Sequence, residues 1–211
     1  MPNRPKAPQR RQLREIAPDA LPHHDVIERV RVRPGVIVDD RLEHARIDHS
    51  VLDGVTVRGG GAEELMLRHV ELAQCDWANV IADGSSWTAC HVDGCKLTGA
   101  HLNRCSVKDS VFSSCRADFL QLQDARLQRV VFAQCDLRQS FFNGTEMPGT
   151  VFDGCDLTGA DFSRAVIAGA DLRRSRIEEI RVSPEQLRDV IVTPDQALYL
   201  AGLLGLDIRE A

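Results

Sequence analysis

The 211-residue sequence is short of aromatic side chains: seven phenylalanines, two tryptophans and one tyrosine make up 5% of it. That is little for a deep aromatic-lined pocket and enough for a narrow structure with a thin core. No apolar run approaches the ~18 residues that a membrane-spanning helix needs. The opening stretch, residues 1–15, is basic and proline-rich with no apolar core behind it. That does not fit a secretory leader, and a cytoplasmic protein is expected. There is no G-x-S-x-G, P-loop, H-E-x-x-H or Rossmann glycine pattern, so no catalytic motif supports an enzyme. A net charge of -5 gives no whole-chain attraction for nucleic acid. The balance of 43% hydrophobic and 27% charged residues is that of a folded domain.

What is present is a period of five. From Leu42, Ile47, Leu52 and Val57 through to Leu172, Ile177 and Val182, every fifth residue is apolar without exception. The phase two residues earlier holds small side chains such as Ala45, Ser50, Val55 and Ala170. All seven cysteines (75, 90, 95, 105, 115, 135 and 155) fall on that second phase. Chance would place them there about once in 16,000 trials, and neither a 3.6-residue nor a two-residue period produces the pattern. The remaining option is a coil that turns a corner every five residues, with two of the five side chains inside.

The segments CDLRQ (135–139), CDLTG (155–159), ADFSR (160–164) and ADLRR (170–174) resemble the A-(D/N)-L-x-x unit of the pentapeptide repeat family. The register covers residues 42–182. The resemblance implies an all-β solenoid, a right-handed quadrilateral β-helix with four pentapeptides per coil. Residues twenty apart then stack at the ~4.8 Å strand spacing, and about seven coils make a rod ~34 Å long. Cys75, Cys95, Cys115, Cys135 and Cys155 are expected to form one interior ladder, and Phe112, Phe132 and Phe152 a ring stack. Trp77 and Trp87 should take core positions on either side of the small Ala82. The odd number of cysteines and the lack of C-x-x-C spacing favour core residues over a redox or metal array. His49 and His69, twenty apart, could stack as a two-imidazole pair; with no third ligand recognisable they read as surface histidines. No cofactor and no metal are expected.

The flanks divide the chain further. Residues 1–24 read as a basic, disordered arm, residues 25–41 as a strand capping the first coil, and residues 183–211 as a C-terminal helical cap. Ser183-Pro184-Glu185-Gln186 and Thr193-Pro194-Asp195-Gln196 are capping boxes with proline at the first helical position. The second should open a helix from Pro194 to about Leu204, ended by Gly205. That helix is apolar nearly all round. One side is expected to cover the open end of the β-helix, and Leu198, Leu200, Leu203 and Leu204 are the candidate interface of a homodimer.

On the outer surface, Val111, Val131 and Val151 should stack as an apolar stripe, with Phe119 and Phe141 pointing outward near one corner. These five residues are the candidate partner surface. The resemblance extends to the fluoroquinolone-resistance members of the family, dimeric rods that bind DNA gyrase or topoisomerase IV and whose negative surface imitates DNA. Residues 42–182 carry twenty acidic against fifteen basic residues. One face shows Asp76, Lys96, Arg116, Asp136, Asp156 and Arg176, with opposite signs interspersed. A binding protein without catalysis follows, with two versions of its role. One is a gyrase or topoisomerase modulator of the DNA-mimic type. The other is a scaffold that binds another protein through the apolar stripe. Neither the rod's direct binding of nucleic acid nor a membrane role is expected.

Overall fold

A computed structural model describes residues 13–21, 25–38, 40–59, 61–203 and 205–207. The chain winds as a parallel β-solenoid with four faces. Eight three-residue strands build the first face, in the order Arg14–Ile16, Val30–Val32, Val51–Asp53, Glu71–Ala73, His91–Asp93, Val111–Ser113, Val131–Ala133 and Val151–Asp153. On the second face Gly35–Val38 pairs with Val55–Arg58, and single bridges continue the column from Thr56 through Asp76, Lys96, Arg116, Asp136 and Asp156 to Arg176. The third face is a column of bridges from Gly61 through Ile81, His101, Gln121, Phe141 and Asp161 to Arg181. Six strands from Val26–Glu28 to Arg126–Gln128 make the fourth, which bridges extend to Glu146 and Val166. Partners along these strands are twenty residues apart, for example Phe112 with Phe132.

The five-residue period has a backbone cause. Nineteen non-glycine residues of the described chain have φ between 47° and 61°, and every one lies on a position numbered 4 or 9. A left-handed residue at most corners redirects the strand through about a right angle. At many corners a β-turn hydrogen bond closes it, as from the Ala100 N–H to the Leu97 carbonyl at 2.9 Å. Glycine meets this requirement without steric strain, as at Gly159 (φ 71°), whereas residues such as Phe119 (φ 59°) adopt it under constraint from the coils on either side.

Both inward phases are buried, as the sequence pattern requires. Phe112 stacks on Phe132 at 5.0 Å and Phe132 on Phe152 at 5.3 Å between ring centroids. Trp77 meets Trp87 edge-on at 5.9 Å, with the small Ala82 buried between them in the chain. The seven cysteines are free, buried thiols. The ladder sulfurs donate to backbone carbonyls of the preceding coil: Cys95 to Leu72 at 3.4 Å, Cys115 to Val92 at 3.5 Å and Cys155 to Phe132 at 3.3 Å. Ser140 and Ser175, on the same phase, make the same bond to Ala117 and Phe152 at 3.0 Å. Cysteine here is a small apolar filler that also satisfies a carbonyl, which explains why serine and threonine share its positions.

The flanks differ from the sequence expectation in three respects. Residues 13–21, assigned to a disordered arm, form a strand, Arg14–Ile16, paired with Val30–Val32, and a 3-10 turn, Pro18–Ala20. They make an abbreviated coil, offset by sixteen residues where the others use twenty (Arg14 opposite Val30), and Leu21 is buried in the core at its end. Residues 1–12 and 22–24 of that segment lie outside the described residues. Residues 25–41 are likewise no single capping strand. They hold three strands in register with the next coil, because Ile27, Val32 and Ile37 continue the buried phase. At the other end the bridge between Asp171 and Ile191 carries the register past Val182, and Leu187 and Val192 pack against the core.

The C-terminal cap is built from the two capping boxes. Pro184–Leu187 is a 3-10 turn and α1 (Pro194–Leu203) a helix. In the first box the Ser183 N–H donates to Gln186 Oε1 at 2.8 Å, and in the second the Thr193 N–H donates to Gln196 Oε1 at 2.9 Å. The other end of each glutamine amide reaches the last coils. Gln186 Nε2 donates to the Ala165 carbonyl at 3.1 Å, and Gln196 Nε2 to those of Leu172 at 2.7 Å and Ser175 at 2.8 Å. Helix α1 ends in a Schellman motif, with Gly205 at φ 81° and the Leu206 N–H donating to the Ala201 carbonyl at 3.0 Å.

Candidate functional site

The first face carries an apolar trough of about 690 Å³. Its floor is Val131, Val151, Ala133 and Phe152, and its lower rim is Asp153, Asp171, Arg173, Arg174 and Thr193. The twenty-residue register places Val131 beside Val151, and both are half-buried on a sheet that the coils above and below hold rigid. The stripe is shorter than its sequence spacing suggests. Val111, flanked in register by His91 and Val131, is only 7% exposed, so it lines the upper end rather than presenting a surface. Outward phase fixes the direction of a side chain, and the height of its neighbours fixes its exposure.

Phe119 and Phe141 flank one corner on adjacent coils. The Phe141 N–H donates to the carbonyl of Leu120 at 2.8 Å, which sets Phe141 below Gln121, two residues along the coil from Phe119. Phe119 is 49% exposed, and Phe141 is half-buried between Gln121 and Asp161. In the helix, Leu198 and Leu203 are 55% and 47% exposed. Leu200 corrects the sequence expectation: at 5% exposure it belongs to the core of its own chain and is not available to a second copy. Leu204 lies outside the described residues.

Many charges on the rod are paired. Along the columns Asp76 meets Lys96 at 3.3 Å, Asp156 meets Arg176 at 3.7 Å and Asp161 meets Arg181 at 3.7 Å. Within one repeat Asp136 takes Arg138 at 2.6 Å and Asp171 takes Arg173 at 2.8 Å. Arg138 and Arg173 hold the carboxyls of Asp136 and Asp171 below the usual range. At the trough's rim Arg174 reaches Asp153 at 3.2 Å. Sequence reading missed the Asp171–Arg173 part of the rim; the D-L-R triplet at 171–173 was its legible signal, since an aspartate and an arginine two apart share one outer surface.

The thiols offer no reactive site. Burial pushes Cys90 and Cys105 up to about 12. Neighbouring thiols and burial raise Cys95, Cys115 and Cys155, while Cys75 and Cys135 are lowered by the hydrogen bonds they accept from ladder neighbours. All are out of reach of solvent. Among the described residues, no group of three or more His, Cys, Asp or Glu side chains converges to hold a metal ion. No helix among them is long and apolar enough to cross a membrane.

A four-faced parallel coil that repeats every five residues, with small and large inward positions, defines the class. Residues 85–162 match the family described as "Pentapeptide repeat region" and residues 149–178 match "Pentapeptide repeats (8 copies)". Residues 85–178 are thus similar to the repeats of the pentapeptide repeat family. No curated protein matches it in sequence. Among solved structures it is similar to QnrB1, described as a plasmid-mediated fluoroquinolone resistance protein, at 20% identity over 93% of this chain and 96% of that one, with a TM-score of 0.43. It is also similar to HetL, a pentapeptide repeat protein involved in heterocyst differentiation regulation in the cyanobacterium Nostoc, at 16% identity over 80% and 87%, with a TM-score of 0.38. Rfr23 from the cyanobacterium Cyanothece shares 11% identity over 85% and 91%, with a TM-score of 0.22.

Proposed function

We propose that this protein acts by binding, without catalysis, and docks a protein partner on the trough around Val131 and Val151. The observation that carries the reading is an apolar floor on a rigid sheet, rimmed by charges that already neutralise one another. Repeat solenoids offer extended rigid surfaces of this kind. Phe119 and Phe141 supply a second contact. Phe119 is a large apolar side chain held outward on a left-handed corner, where it contributes nothing to the core. Two copies pair through Leu198 and Leu203 of α1, the apolar side of the cap that its own chain leaves uncovered.

Gyrase or topoisomerase IV, the target implied by the family resemblance, is the first partner to test. A DNA mimic presents one sign of charge along a face, whereas the columns here mix both signs and several neighbours pair. Modulation of a topoisomerase would therefore work through the trough. The experiment is a gyrase supercoiling assay with and without a fluoroquinolone, run on the wild type and on Val131→Asp and Val151→Asp. Inhibition or drug protection that is lost in both variants, with the circular dichroism unchanged, supports docking through the trough to a topoisomerase. An effect that both variants retain removes the trough from the mechanism. With no effect on gyrase or topoisomerase IV, a pull-down comparing wild type with the two variants decides: a protein captured equally by all three ends the docking proposal.

A further inference from the structure

We propose that a groove between the second and third faces, near the N-terminal end of the rod, holds a basic segment, and that in the free protein this segment is the chain's own residues 1–12. The groove has a volume of about 640 Å³. It follows from a gap in the inward pattern. The phase that Val80, Ala100 and Leu120 fill with buried side chains carries aspartate at 40 and glycine at 60. With no apolar filler at those two turns, the wall opens above Val80. Val57 and Val80, each 4% exposed, line it from the core side, and Ile81, 43% exposed, stands at its mouth.

Two carboxylates converge on one residue at this groove. Asp40 Oδ1 accepts from the Gly61 N–H at 3.2 Å, and Glu63 Oε2 folds back into the space where a side chain at 61 would begin. Among the described residues neither carboxylate meets a cation at ion-pair distance, unlike Asp76, Asp156 and Asp161 farther along. Glu43, which His44 holds at 3.6 Å, and Arg58 complete the charged lining, so acid is in excess. An apolar wall beside unpaired carboxylates fits a lysine or arginine, whose methylene stem covers apolar surface while its head pairs with the acids. Residues 1–12 carry Arg4, Lys6, Arg10 and Arg11 and no acidic residue. They join the rod at the same end, through Arg14–Ile16 on the first face. Twelve extended residues reach up to ~40 Å, and half a turn of the rod is about ten residues of chain. The segment is long enough to bring Arg4 and Lys6 to the groove, and its tether gives it a local concentration that a separate basic peptide has to exceed.

The test uses the full chain with the segment neutralised (Arg4→Gln, Lys6→Gln, Arg10→Gln and Arg11→Gln) and a labelled synthetic peptide of residues 1–12, followed by fluorescence anisotropy. The peptide should bind this variant about tenfold more tightly than wild type, whose own segment fills the groove. Adding Asp40→Asn and Glu63→Gln to the variant should weaken binding by about tenfold; each amide keeps an acceptor oxygen, and circular dichroism checks the fold. In the wild type, a carbodiimide should couple Lys6 to Asp40 or Glu63 within one chain, as mass spectrometry would map, and ~1 M salt should suppress the coupling. Equal binding by wild type and the neutralised variant, or coupling of Lys6 only to other carboxylates, would assign the groove to a segment of another protein and overturn the tethered occupant. Binding that survives the loss of both carboxylates, or no binding at all, would overturn the groove itself.

Discussion

Gln196 and Leu172 join the helical cap to the rod: the side-chain amide of the one donates to the main-chain carbonyl of the other at 2.7 Å. The same amide reaches Ser175, and its oxygen completes the capping box of Thr193. A solenoid ends in carbonyls and N–H groups with no further coil to pair with, and this glutamine satisfies two of the carbonyls while starting the helix that covers them.

Gln196→Ala should therefore cost about 2–3 kcal/mol, the sum of a lost cap and two newly unpaired carbonyls. Gln196→Glu keeps the oxygen for Thr193 and loses the donor, so it should fall between alanine and wild type. Urea unfolding of the three proteins measures this. A change within the ~0.5 kcal/mol of an ordinary surface substitution would mean that the carbonyls find other donors.

Cys115 sits in the middle of the thiol ladder, donating to the Val92 carbonyl at 3.5 Å. Cys115→Ala should cost ~1 kcal/mol through a small cavity. Cys115→Ser should cost no more, because serine makes the equivalent bond at Ser140 and Ser175. A thiol reagent should leave all seven cysteines unmodified until the protein unfolds; rapid labelling of the native chain would contradict their place in the core.

Acid should weaken the rod in a definite window. Asp136 and Asp171 are held below the ordinary 3.8 by Arg138 and Arg173. A carboxyl whose pKa folding lowers contributes stability that is complete above its unfolded value and is lost as pH falls through its folded value. The loss thus begins below about pH 4. In the double variant Arg138→Met, Arg173→Met the fall in urea midpoint between pH 4 and pH 2 should be shallower than in wild type. Parallel curves would show that these pairs do not contribute.

Leu203→Asp should convert a dimer to a monomer of 23.4 kDa without loss of fold, as light scattering would show. Leu200→Asp should instead unfold the cap, since Leu200 is buried in its own chain. If the wild type already scatters as a monomer, pairing through α1 is wrong.

The repeat was legible in the sequence because a corner every five residues imposes a pattern that no helix or ordinary strand imitates. The Phe112, Phe132 and Phe152 stack and the burial of Trp77 and Trp87 follow from position modulo twenty. The first coils were less legible. Ile27, Val32 and Ile37 stand on the buried phase, but arginines, prolines and a coil four residues short break the rhythm around them. The site was legible in direction and not in depth: Val131 and Val111 share a column, yet only neighbours brought together by winding decide that Val111 is covered. Leu200 shows the same limit, since a helix apolar on several sides does not say which leucine meets its own coil.

The twenty-residue offset also makes length a counted quantity. Duplicating or deleting one whole coil would return every side chain to its column and leave both ends intact, moving the trough relative to α1 by one strand spacing, ~4.8 Å. A change of fewer residues would have to be absorbed within one coil, as the sixteen-residue first coil absorbs its own shortness, so that the later coils keep their columns. The separation between two docking features on this rod then follows the number of coils between them, like marks on a ruler, and a partner that grips both would register that number.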